Sequence, residues 1–95
     1  MDRNKLNSGF PLLKDFIIYC ETIKGKSEKT ADEYFLDLTT LFKYLKVEKG
    51  AVDPSLPFKE IWIIDIDIEF IKSITITDLY SFLVYCKNER KNGTA

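Results

Sequence analysis

Two groups of residues in this sequence have the types and spacing to hold a phosphate. The first is Lys26, Ser27, Lys29 and Thr30, within KGKSEKTADEY; the second is Lys87, Arg90 and Lys91, within YCKNERKNG. A nucleic-acid backbone is gripped by cationic side chains, short hydroxyls and the unpaired N–H groups at the start of a helix. Ser27 is placed to cap a helix that begins at about Glu28, which would gather amides, hydroxyls and mobile cations at one spot. Each residue also has a purely structural reading. Ser27 caps, Thr30 covers the flank of a core, the lysines are solvated, and Lys87, Arg90 and Lys91 complement the negative end of a helix dipole.

Other chemistries find little support. The 95 residues contain no histidine, which removes the usual general base and the commonest metal ligand and argues against an enzyme. Cys20 and Cys86 fall on apolar helical stripes and read as core residues, in keeping with a reducing cytoplasm. The run Asp65, Asp67, Glu69 has no glycine-turned loop or further oxygen ligands, so solvated acids are expected rather than a metal site. No phosphate-binding glycine loop is present, and no cofactor is expected. The formal net charge is −1, with uneven distribution: residues 50–80 set two lysines against six carboxylates for −4, while residues 81–95 carry +2.

The length suits one small domain with a single core, and no apolar run is long enough for a signal peptide or a membrane anchor. Residues 1–10 are expected as a flexible tail. Pro11 starts a helix to about Ile23 with Leu13, Phe16, Ile17, Cys20 and Ile23 inward, closed by Gly25. The organising helix follows from Glu28 to about Lys46, its stripe made of Tyr34, Phe35, Leu38, Leu41, Phe42 and Leu45. Val47 to Phe58, with Gly50, Pro54 and Pro57, is one long connection. IWIIDIDIEF alternates as a strand does, yet no second strand exists to pair with it. The reading is therefore an extended Ile61–Ile66 followed by a short helix from Asp67 to Ser73 with Ile68, Ile71 and Ile74 inward. Thr75 and Asp78 form a capping box that opens the last helix, with Leu79, Phe82, Leu83 and Cys86 as its buried stripe.

Ser27, Thr30, Tyr34, Asp37, Leu38 and Phe42, with the later Ile74–Leu83 pattern, resemble the N-terminal core-binding domain of tyrosine recombinases and phage integrases. The likeness runs from about Leu12 to Asn92. It implies an all-α, four-helix SAM-like orthogonal bundle with one long loop between its second and third helices. Residues 11–92 would form the DNA-binding domain, and residues 93–95 would start a linker to a catalytic domain outside the chain. The implied partners are double-stranded DNA and neighbouring recombinase protomers, with no membrane, a cytoplasmic setting, and an isolated domain that is monomeric or weakly self-associating. Lys26, Ser27, Lys29, Thr30, Lys87, Arg90 and Lys91 are the implied DNA contacts. The nucleophilic tyrosine of the family lies in its catalytic domain, so Tyr34 reads as a rim aromatic. The other reading is a small helical protein-interaction module with an acidic surface between Asp53 and Asp78.

Overall fold

A computed structural model describes residues 3–91, with the side chains of Arg90 and Lys91 outside the description. Five α-helices account for most of it: α1 (Arg3–Leu6), α2 (Pro11–Thr22), α3 (Glu28–Glu48), α4 (Ile68–Lys72) and α5 (Ile76–Lys91). A single 3-10 turn, Phe58–Glu60, interrupts the long connection between α3 and α4. Among the described residues there is no strand, and no helix is long and apolar enough to cross a membrane. The all-α expectation is met, with five helices where four were expected.

The extra helix lies in the segment expected to be a tail. Leu6 and Phe10 are buried, and the Phe10 ring meets Phe42 of α3 edge-on at 4.8 Å. A polar segment with one leucine and one phenylalanine has no periodicity to announce a helix. Those two side chains order it by reaching a core built elsewhere.

The core is the seam between α2 and α3. Leu13 and Ile17 of α2 pack with Ala31, Phe35, Phe42 and Leu45 of α3, while Tyr34, Leu38 and Leu41 flank them half-buried. The helical period of the stripe is what faces these residues inward. Phe16 and Ile23, expected inside, are exposed at 44% and 70%. Both ends of α3 are fixed by left-handed glycines, with φ 64° at Gly25 and 74° at Gly50, where a side chain would be strained. At Gly50 the Ala51 amide donates to the Lys46 carbonyl and the Gly50 amide to the Val47 carbonyl, the Schellman closure of a helix.

Beyond α3 the chain crosses the core without regular structure. Ile61, Ile63 and Ile66 are buried and Trp62 and Ile64 exposed; the expected extended Ile61–Ile66 holds only to Ile63, where a turn closed by the Ile66 amide on the Ile63 carbonyl breaks the alternation and brings Ile66 inward. Lys46 holds this segment down: its ammonium donates to the Trp62 carbonyl at 2.6 Å and pairs with Asp65. Asp67 caps α4 through the Phe70 amide. Ile71 and Ile74 pack on the core with Phe70, whereas Ile68 points outward at 49% exposure.

The capping box at α5 forms as expected. The Thr75 amide donates to Asp78 at 2.9 Å and the Asp78 amide to Thr75 Oγ1 at 3.2 Å. The buried stripe of α5 is a correction. Leu79 and Leu83 are exposed, and the half-buried face is Asp78, Ser81, Phe82, Tyr85 and Cys86. On that face the Lys49 ammonium reaches both Asp78 (3.0 Å) and the Ser73 carbonyl (2.9 Å), and Phe82 and Tyr85 meet Tyr44 of α3.

Candidate nucleic-acid interface

The first basic group sits where α2 hands over to α3. Gly25 turns the chain, and the Lys26 amide donates back to the Cys20 carbonyl at 2.9 Å, which fixes where Lys26 leaves the turn. Lys24, Lys26, Ser27 and Lys29 are exposed, and Thr30 is half-buried. Ser27 adopts the extended conformation of an N-cap; its Oγ accepts from the Thr30 amide at 3.1 Å and lies 3.0 Å from the Thr30 hydroxyl. The structural reading of Ser27 is thus realised. Its oxygen is engaged within the cap, so Lys26 and Lys29 are the groups best placed to meet an incoming anion, beside the positive end of the α3 dipole.

The second group belongs to the end of α5. Lys87 is exposed; Arg90 and Lys91 complete the helix, and their side chains lie outside the description. The path of α5 follows from its contacts with α3. Asp78 meets Lys49, and farther along Phe82 and Tyr85 pack against Tyr44 with tilted rings, 5.5 Å and 4.9 Å between centroids. As α5 advances its partners on α3 recede toward the start, so the two helices run antiparallel.

That geometry separates the two groups. At 1.5 Å per residue, the axis of α3 from Ser27 to Tyr44 spans about 26 Å, and α5 beyond Tyr85 recovers about 9 Å of it. Lys26 and Lys29 therefore form one spot and Lys87 another, set apart along the same pair of helices.

Other ionisable groups near α5 are held in one state. Asp78 is pulled below the usual carboxylate range by the Thr75 amide first and by Lys49 second. Asp65 is lowered chiefly by its hydrogen bond from Lys46. Burial raises the phenols of Tyr44 and Tyr85, keeping the α3–α5 aromatic contact neutral. Among the described residues, no three His, Cys, Asp or Glu side chains gather as a metal site.

Sequence reasoning missed one feature of this half. A cavity of about 380 Å³ opens between α3 and the extended segment, lined by Thr39 and Lys43 on one side and Ile61 to Ile64 on the other. The only hint was the exposed half of the alternation, Trp62 and Ile64. Neither helical periodicity nor a motif could connect them to α3.

Over 82 residues the chain is 42% identical to the tyrosine recombinase XerC of Caldanaerobacter subterraneus subsp. tengcongensis, a match covering 86% of this chain. The chain is thus similar over most of its length to one segment of a tyrosine recombinase. It spans about a quarter (23%) of that recombinase's length. No protein-family model matches the chain, and no solved structure does. The family residues Ser27, Thr30, Tyr34, Asp37, Leu38 and Phe42 run from the cap of α3 to its core-facing middle. Ser27 and Thr30 make the cap, Tyr34 and Leu38 flank the core, Phe42 meets Phe10, and Asp37 is solvent-exposed.

Proposed function

We propose that this chain is the N-terminal core-binding domain of a site-specific tyrosine recombinase, a SAM-like helical bundle that holds duplex DNA. Cutting and rejoining of strands would belong to a catalytic domain outside the chain, leaving this segment without catalysis of its own. The observation that carries the reading is the 42% identity to tyrosine recombinase XerC across most of the chain. In this reading Lys26 and Lys29 meet backbone phosphates beside the start of α3, Ser27 and Thr30 hold that helix start in place, and Lys87, Arg90 and Lys91 make a second contact along the duplex. Two separated basic spots suit a long, regularly charged partner better than a small anion. Neighbouring recombinase protomers are the further partners. With a net charge of −1 the isolated domain binds weakly, with little sequence preference and strong salt dependence.

The test is fluorescence anisotropy of labelled duplex DNA at low and moderate salt, with Lys26→Glu/Lys29→Glu beside the wild type. Binding that weakens steeply with salt and is lost in the double variant supports the reading. Each phosphate contact removed lowers the logarithmic salt slope by about 0.9. DNA binding that survives the double variant unchanged would remove Lys26 and Lys29 from it. The acidic segment favours a second reading: Asp53, Glu60, Asp67 and Glu69 are all exposed, a surface fit for a basic protein partner. Absence of DNA binding at low salt, both here and in a chain extended through the catalytic domain, would leave that reading standing.

A further inference from the structure

The cavity beside Trp62 has the makings of a peptide site. At about 380 Å³ it falls in the range of pockets that hold a small ligand or an anchoring side chain. Isoleucines dominate one wall, and among the described residues the cations Lys43 and Lys59 are its only charged lining, with no carboxylate beside them. Of the two acids that flank that wall in sequence, Asp65 pairs with Lys46, and Glu60 is exposed and is not a lining residue. Lys43 is itself steadied, its ammonium lying 5.6 Å from the centre of the Phe58 ring.

Two further observations point to a ligand that makes hydrogen bonds and extends past the cavity. The hydroxyl of Thr39, a lining residue, is buried without a hydrogen-bond partner among the described residues. The segment is extended from Ile61 to Ile63 and then turns, the Ile66 amide donating to the Ile63 carbonyl at 3.1 Å, and the amide N–H groups of Trp62, Ile63 and Ile64 make no hydrogen bond to described residues. Free amides beside an apolar wall are donors for an incoming backbone carbonyl. Trp62, 76% exposed, and Ile64, 52% exposed, continue the apolar surface beyond the cavity; an exposed tryptophan of this kind is a characteristic anchor of protein contacts.

We propose that the cavity between α3 and Ile61–Ile64 docks an extended, apolar segment of a protein partner that carries a carboxylate. A backbone carbonyl of the segment accepts from a free amide among residues 62–64, an apolar side chain enters the cavity, and its carboxylate faces Lys43 and Lys59. Charge decides the class of partner: the lining is cationic, so an acidic segment is attracted and a basic one repelled. The apolar wall decides against DNA as occupant, because a phosphate set among isoleucines would lose its water without enough donors to replace it. The site is independent of the DNA reading, which rests on Lys26 and Lys29.

Trp62 is the sole tryptophan of the chain and reports directly on the site. The experiment titrates the 95-residue chain with a capped octapeptide alternating valine and glutamate, following Trp62 emission and the exchange protection of the 62–64 amides. A valine–lysine octapeptide and a duplex DNA serve as competitors. The expected result is a blue shift with slowed exchange at 62–64 for the glutamate peptide alone. Lys43→Glu/Lys59→Glu, checked for native circular dichroism, should weaken that peptide at least tenfold and bring in the lysine peptide. A shift produced by DNA and not by the glutamate peptide would overturn the proposal, as would failure of that peptide at millimolar concentration. Binding indifferent to the charge reversal would overturn it too.

Discussion

The two ends of α3 carry the same residue type to opposite ends. At its start Lys26 and Lys29 extend into solvent; at its finish Lys46 is buried at 6% exposure and Lys49 is half-buried, each bound to a carbonyl and a carboxylate from later in the chain. The difference is what lies beside each end. The start follows a tight turn, and among the described residues no later element gives the Lys26 or Lys29 ammonium an ion pair or hydrogen bond, whereas the finish is crossed by the segment after Ile61 and by the beginning of α5. A lysine next to a crossing segment becomes a clamp, its stem packed on apolar neighbours and its head satisfying carbonyls that lack a ladder partner. One in open solvent keeps its charge available for a ligand.

The largest break of that contrast is Lys46→Ala. Losing the buried stem and leaving the Trp62 carbonyl without its donor should cost about 2–4 kcal/mol, read by urea unfolding. Lys46→Met, which keeps the stem, should recover part of it. The Asp65 pairing contributes little to that figure, because Asp65 is 69% exposed and an exposed ion pair is worth less than about 1 kcal/mol.

A smaller effect is expected on acidification. Asp65 and Asp78 have carboxyls lowered in the folded chain, so folding favours their ionised forms. Their stabilisation is fully present above the ordinary carboxylate range and is lost as the pH falls through about 4 and below. Melting temperatures measured down this limb should drop, and Asp78→Asn should flatten the drop by removing one of the titrating groups. An unchanged acid limb in that variant would mean that neither the Thr75 amide nor Lys49 engages the Asp78 carboxylate in the folded chain.

The smallest effect should come from the start of α3. Lys26→Glu/Lys29→Glu should leave stability within about 0.5 kcal/mol of the wild type, as surface substitutions do. A large loss of stability there would erase the distinction between the two ends and turn these lysines into structural residues.

How far the sequence could be read follows the same division. The bounds of α2 and α3, the Ser27 cap, the Gly25 turn, the short helix near Asp67–Ser73 and the Thr75–Asp78 box were all legible, because each depends on residues within a turn or two of one another. Illegible were the helix at Arg3–Leu6, the rotation that exposes Leu79 and Leu83, the burial of Lys46, and the cavity beside Trp62. Of the DNA-contact candidates, the start of α3 was legible as a unit, since Lys26 to Thr30 are contiguous. Its distance from Lys87 was not, because it depends on where α5 crosses α3.

The sequence by itself determined the helices, their caps and the apolar seam of α2 and α3, since hydrophobic period and capping chemistry act over a few residues. Only the tertiary structure decided which lysines are clamps and which face of α5 turns inward. Those outcomes depend on an ammonium at residue 46 or 49 meeting a carbonyl or carboxylate 16 to 29 residues later, and no local pattern encodes that meeting.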